Sequence, residues 1–258
     1  MNLKSKLLLA LLATSSAAFA QTAPAEPEST LGYNVGVVSQ YRYRGLAQTK
    51  GDAALQGGVD YADASGYYLG AWGSTIKWIK DASTTAGASG PVELDLYGGY
   101  KFEAAGLAYD VGYLRYQYVN NSYDKVSTKN ANTDEVYGAV TAGVFTAKYS
   151  YAFSDLFGAY DTTNKKSSKG STYLDLSATF DLGEGYSLVP HAGRQTVKNP
   201  AGYSYTDLAL TLNKDLGDGL SASAAAISTN VSKNANFLSG TGYNTAKNAV
   251  VLGVKYSF

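Results

Sequence analysis

The 258-residue sequence carries one histidine, His191, and no cysteine. Nucleophilic hydrolysis needs a serine beside a base and a group that orients the base. His191 would have to be that base. Its neighbours alternate in character, and alternation puts it on one face with Val189 and Gly193, as a polar lining residue. Without cysteine there is no thiol nucleophile, no Cys-ligated zinc and no disulfide framework. No His/Asp/Glu grouping has metal-site spacing. Gly51-Asp52 and Gly217-Asp218-Gly219 read as turns, not phosphate loops. Neither catalytic residues nor a cofactor are expected. The recurring charges suggest something else. Asp95, Glu135, Asp175 and Asp207 sit beside Leu94, Val136, Leu174 and Leu208, near the starts of four alternating segments. Arg42, Arg44, Arg115 and Arg194 fall at the corresponding level of neighbouring segments. Such a belt would set a transverse field that selects ions. Alternatively, opposite charges on neighbouring strands simply hold register.

The elements that must position these charges are strands. After the first 20 residues no segment keeps a 3.6-residue apolar period. Alternation with period two recurs instead, which puts one residue set on each face. Val250, Leu252, Val254, Tyr256 and Phe258 alternate with Val251, Gly253, Lys255 and Ser257. Twelve such segments lie near 33–44, 53–62, 66–78, 92–103, 106–118, 133–142, 144–154, 171–182, 185–196, 203–215, 219–229 and 247–258. Very short connections (62–65, 104–105, 143, 183–184, 216–218) alternate with longer ones (45–52, 79–91, 119–132, 155–170, 197–202, 230–246). Short turns at one end, long loops at the other and an even strand count describe an outer-membrane barrel. A soluble sandwich would alternate too.

The start of the chain favours export. Lys4 and Lys6 precede the apolar run Leu7–Ala13, and Ala18-Phe19-Ala20 fits a small-x-small cleavage site. Residues 1–20 read as a cleaved signal peptide and 21–30 as a flexible periplasmic lead-in, leaving one domain, the barrel at 31–258. The apolar run is shorter than the roughly 20 residues a spanning helix needs. The 21 basic and 21 acidic side chains balance, which argues against nucleic acid as a partner. Among the 23 tyrosines, Tyr33, Tyr41, Tyr43, Tyr61, Tyr67, Tyr100, Tyr118 and Tyr203 lie near strand ends, where an aromatic girdle meets headgroups. The expected partners are outer-membrane lipid and lipopolysaccharide, small solutes, and the barrel-assembly machinery through the last strand. Tyr256 and Phe258 are the candidate assembly signal.

With the apolar set facing lipid, the candidate pore-lining residues are Arg42, Arg44, Asp60, Asp95, Lys101, Glu135, Lys148, Asp175, Asp207 and Lys255. Asp110 and Asp181 fall on the same faces. The carboxylates outnumber the cations, a lean toward cation selectivity. Arg115 and Arg194 break the pattern, since strict alternation points both at lipid. That costs about 2–4 kcal/mol at mid-depth and about 0–1 kcal/mol near the interface. Either they lie above the membrane or a bulge resets the parity, with Pro190 as its marker.

The stretch from Asn34 through Tyr41-Arg42-Tyr43-Arg44-Gly45 to Thr49 resembles the opening signature of the TorF-like family of presumed porins, also called the Gcw_chp conserved hypothetical proteins of proteobacteria. Ala54–Tyr61, Glu93–Tyr100, Lys148–Ala152, Tyr173–Ser177 and His191–Gln195 are similar to further blocks of that family, in order. The resemblance implies an outer-membrane barrel and a porin, with no established substrate or functional residues. The expected function is a channel for passive diffusion of small polar or ionic solutes. The alternative is a non-conducting or plugged barrel with a ligand-binding, adhesion or structural role. A long loop folded inward would favour the second, a dense Arg/Asp belt the first.

Overall fold

The structure is a computed structural model and describes residues 29–258. The signal peptide and nearly all of the lead-in read from the sequence lie outside the described residues. Twelve antiparallel strands form the fold: β1 (Thr30–Val38), β2 (Ala54–Ala62), β3 (Tyr67–Thr75), β4 (Val92–Ala104), β5 (Leu107–Val119), β6 (Thr133–Ala142), β7 (Phe145–Ala152), β8 (Thr172–Ala178, resuming at Phe180–Gly183), β9 (Tyr186–Thr196), β10 (Tyr205–Gly217), β11 (Leu220–Thr229) and β12 (Ala249–Ser257). Each pairs with its sequence neighbours, and β12 returns to pair with β1 from Asn34↔Ser257 to Val38↔Gly253. The sheet is therefore a closed barrel without a free edge. No helix among the described residues is long and apolar enough to cross a membrane. An apolar strand face against lipid and fully paired backbone groups are what such a crossing requires of strands.

The alternation is realised on the outer wall. Leu31, Val35, Val37, Leu55, Leu69, Leu96, Val111, Leu176, Leu208, Leu210, Val250, Leu252 and Val254 are exposed to the surroundings. At the short-turn rim an aromatic band runs around the barrel. Tyr67 meets Tyr100 at 4.7 Å, Tyr100 stacks on Phe102 and Phe102 on Tyr109 at 5.0 Å. Phe258 stacks between Tyr33 and Tyr256. Three of the expected girdle tyrosines are not there: Tyr41, Tyr43 and Tyr118 are buried inside the barrel. The turns at this rim are tight. Ala105-Gly106, Glu184-Gly185 and Asp218-Gly219 all have positive φ at both positions, the two-residue hairpin geometry that matches strand twist.

Pro190 does not reset the parity. β9 pairs with β10 in one register from Tyr186 through Gln195, straight through Pro190↔Leu210. The interruption falls on the other side, in β8, between Ser177↔His191 and Phe180↔Leu188. Pro190 has no N–H to give the ladder, and the pairing of β8 with β9 lapses at Ala178 and Thr179 before resuming in the same register. Arg115 and Arg194 accordingly stay outside. Arg115 bonds Asp134 of β6 at 2.9 Å and Gln117 along its own strand, and Arg194 donates to Thr206. Both lie toward the long-loop end of their strands, where an outward guanidinium costs little.

Candidate lumen constriction and mouth

The first strand is shorter than its alternation suggests. Val38 ends it, and the expected continuation to residue 44 does not occur. Tyr41, Arg42, Tyr43, Arg44 and Gly45 are all buried, so this run has no outward face. It folds into the barrel as a small hairpin in which Arg42–Tyr43 pairs with Leu46–Ala47. Arg44 and Gly45 make its turn, with φ of 46° and 78°. A Cβ on Gly45 would lie 2.7 Å from Asp207 Cβ and 2.9 Å from Thr229 Cγ2. Only glycine lets the hairpin tip reach the wall at β10 and β11. Arg42 and Arg44 thus point inward, but from a loop rather than from a strand.

The wall receives the hairpin with paired polar groups. The Arg44 guanidinium forks onto Glu135 of β6 at 2.7 and 3.0 Å, and donates to Gln195 of β9 at 2.9 Å. It also lies over the Tyr173 ring at 4.3 Å. A bidentate pair of this kind fixes direction as well as charge. The Tyr43 and Tyr116 hydroxyls hydrogen-bond to each other, and Tyr41 donates to Glu93 at 2.6 Å. Arg42 Nη1 donates to the carbonyls of Gly45, Thr245 and Lys247. Backbone bonds from Ala47 to Thr245, and from Lys77 and Trp78 to Gln48, tie the hairpin to the last and second long loops. At its exposed base Lys77 meets Asp52 at 2.6 Å. The hydrogen bond and charge of Lys77 hold the Asp52 carboxyl below its ordinary value.

The other candidate residues line the interior at two levels. Beside the hairpin are Asp95, Glu135, Asp175 and Asp207, all buried. One oxygen of Asp95 has no hydrogen-bond partner. His191 stands between Asp175, 3.4 Å from Nδ1, and Asp207, 2.9 Å from Nε2, with the Tyr173 hydroxyl 3.1 Å from Nε2. Nearer the short-turn rim, Tyr97 donates to Asp60, and Tyr68 donates to Asp110 at 2.6 Å. Lys101 and Lys148 lie over the Tyr68 and Tyr137 rings at 4.8 and 3.8 Å. Lys255 faces Ser221 across the β11–β12 pair. Asp181 is exposed at the turn end of β8 and bonds the Gly183 N–H, apart from both levels. No group of His, Asp or Glu that could hold a metal occurs among the described residues.

Sequence reasoning did not pick out Tyr41, Tyr43, Tyr173, Glu93 and Gln195 as parts of this arrangement. The available signal was the Arg44-Gly45 pair, a turn dipeptide at the end of an apparent strand. The long loops at 79–91, 119–132, 155–170 and 230–246 build a mouth above the hairpin, and Ile79, Ala88, Ala131 and Phe157 from the first three pack into the same cluster as Tyr41 and Tyr43. They enclose a cavity of about 440 Å³ whose floor is Tyr43, Leu46 and Gln48 and whose sides include Trp78, Tyr118, Tyr123, Phe157 and Tyr203.

A twelve-stranded closed barrel, apolar outside and lined by charged and tyrosyl side chains, with an inward hairpin, is a barrel of the porin type. The chain belongs to the Gcw_chp family, described as bacterial protein of unknown function, whose pattern matches residues 21–258. Among solved structures the fold is similar to the KdgM porin, with a TM-score of 0.51 and 8% identity over 90% of this chain and 99% of that chain. A chain from a study of in-meso crystallization of membrane proteins gives a TM-score of 0.51 and 9% identity over 88% and 83%. OmpF of Salmonella typhi in complex with daunomycin gives 0.44 and 10% over 90% and 98%. At such identities the likeness is one of fold. No curated protein matches the sequence.

Proposed function

We propose that this chain is an outer-membrane diffusion channel for small polar or ionic solutes, narrowed by the hairpin at residues 42–47, and not an enzyme. The observation that carries the reading is the Arg44–Glu135 fork, which holds a loop across a lumen lined by charges of both signs. Oriented opposite charges at a constriction are how a pore selects solutes. The wall itself would sit in outer-membrane lipid and lipopolysaccharide. A second reading is favoured by the burial of Tyr41 through Gly45: a plugged barrel that does not conduct.

Single-channel recording in a planar bilayer separates the two. The mature protein is expected to give small discrete steps. A variant in which residues 42–47 are replaced by two glycines is expected to conduct several-fold more. If both are silent while migrating as folded, heat-modifiable barrels, the channel reading fails. If only the shortened variant conducts, the plugged reading replaces it.

A further inference from the structure

We infer that the outer wall over β8 to β11 holds a phosphorylated, acylated glycolipid, the lipid anchor of lipopolysaccharide, through Arg194, Lys169 and Lys198. The inference rests on the outer-membrane reading above and commits it to one lipid at one place on the wall. Charge is divided between the two ends of the barrel. Lysines outnumber carboxylates in the long loops, whereas the short-turn rim carries Asp63, Asp181, Glu184, Asp215 and Asp218 against Lys214. Basic residues at a membrane surface attract anionic lipid.

Two arginines face outward, and their surroundings differ. Arg115 is neutralised by Asp134 at 2.9 Å and donates to Gln117. Arg194 is exposed and gives one N–H to Thr206 at 3.2 Å. Its cross-strand partners are Leu174 of β8 and Thr206 of β10, neither of them acidic. A guanidinium has five N–H donors in a planar fork that matches phosphate, so most of this one is left for the surroundings. Above it, Lys198 leaves the end of β9 and lies against the turn before β8, where its backbone N–H donates to Ser171 Oγ at 3.1 Å. Lys198 Nζ and the Tyr151 hydroxyl each lie 3.4 Å from the place a Cβ on Gly170 would take. Lys169 adjoins that glycine, and both lysines are exposed. Among the described residues neither lysine is paired with a carboxylate.

The spread of the cations selects the headgroup. The Lys198 ammonium leans toward the β7–β8 turn and the Arg194 guanidinium toward β10. Strands lie about 4.8 Å apart, so two strand spacings put the charges about 10 Å from each other, farther than one phosphate bridges. A doubly phosphorylated sugar reaches both. The wall below has room for its chains. A groove of about 700 Å³ runs between Pro190, Leu208 and Leu210 on one side and Val250 on the other, over Ala226. It begins at Leu208, two residues below the Thr206 that holds Arg194, so a headgroup on Arg194 sets its acyl chains into the groove. On the other side of Arg194 the exposed Leu174 and Leu176 offer further apolar wall.

The folded mature protein in detergent is mixed with diphosphoryl lipid A, monophosphoryl lipid A, cardiolipin or phosphatidylglycerol, and bound lipid is counted by native mass spectrometry. The expected result is a complex with diphosphoryl lipid A, bound about tenfold or more tightly than the other three. Replacing Arg194, Lys169 and Lys198 together by glutamine should remove that preference. Ala226→Phe should weaken binding several-fold with every cation in place, and Arg115→Gln should change nothing. Heat-modifiable migration shows that each variant is folded. Absence of a lipid A complex overturns the inference. So does a preference that survives in the triple variant, an equal loss in Arg115→Gln, unaltered binding in Ala226→Phe, or equal or tighter binding of cardiolipin or phosphatidylglycerol. None of these outcomes depends on conductance. Absence of the barrel from outer-membrane fractions would instead defeat the reading beneath the inference.

Discussion

At the scale of single residues, the constriction depends on groups that cannot be removed one at a time without consequence. Arg44→Ala leaves Glu135 buried without its partner, and breaking a buried pair from one side costs about 3–5 kcal/mol. The expected outcome is a released hairpin with an intact barrel: higher conductance, proteolytic cleavage within 39–53, and unchanged heat-modifiable migration. Glu135→Gln should act in the same direction more weakly, because the amide still accepts one hydrogen bond from Arg44. Gly45→Val tests the geometry without touching charge. It brings a β-branched side chain to a positive φ and to within 2.7 Å of the Asp207 side chain. It should raise conductance to a similar degree, and wild-type conductance from a stably folded Gly45→Val protein would mean that the hairpin tip does not dock on β10. The inward carboxylates were legible in the sequence because each sits beside an apolar residue in a period-two run. Tyr41 and Tyr43 were not, since the same period continues past Val38 on paper. Only the shape of a tight turn at Arg44-Gly45 ends it.

At the scale of elements, strand count and the alternation of short and long connections followed from pattern alone, because a strand with an apolar outer face and a polar inner one must alternate. Strand ends were less legible where a loop re-enters the barrel. Which loop reaches across to the far wall was not written in composition: it is the one carrying two arginines and two tyrosines. Nor was the effect of Pro190, since a missing N–H disturbs the neighbour that would have received it. The closing seam makes a prediction at this scale. Phe258 exchanges two backbone hydrogen bonds with Tyr33 at 2.8 and 2.9 Å, and its ring lies 5.7 Å from that of Tyr33. Phe258→Ala keeps the backbone pair but loses the stack, and deleting the residue loses both. Deletion should lower the amount of folded barrel in membranes more than Phe258→Ala does, measured as the heat-modifiable fraction. Equal amounts of wild-type and deleted protein would show that β1 and β12 close without this contact.

For the whole molecule, what matters is the balance of charge along the lumen relative to the position of the constriction. The hairpin brings Arg42 and Arg44 to the long-loop end, where Glu93, Asp95, Glu135, Asp175 and Asp207 receive them. Toward the short-turn rim, Asp60, Asp110, Lys101, Lys148 and Lys255 share a partly water-accessible section. Carboxylates exceed cations at the narrow end, and the low-polarity wall of tyrosines there leaves charge less screened than it would be in water. A channel built this way should favour cations, and the hairpin arginines should moderate that preference. Under a salt gradient the reversal potential is expected to have the cation-selective sign. It should move further in that direction in Arg44→Glu, and toward zero when Asp60 and Asp110 are both changed to Asn. The two substitutions near the short-turn rim test whether that section contributes at all, since ions screen exposed charges beyond about 10 Å at 0.1 M salt. Raising the salt should therefore shrink the Asp60/Asp110 effect before it shrinks the Arg44 effect. An anion-selective wild-type channel would place the field-setting charges outside the path ions take and would remove the constriction from its role in selection.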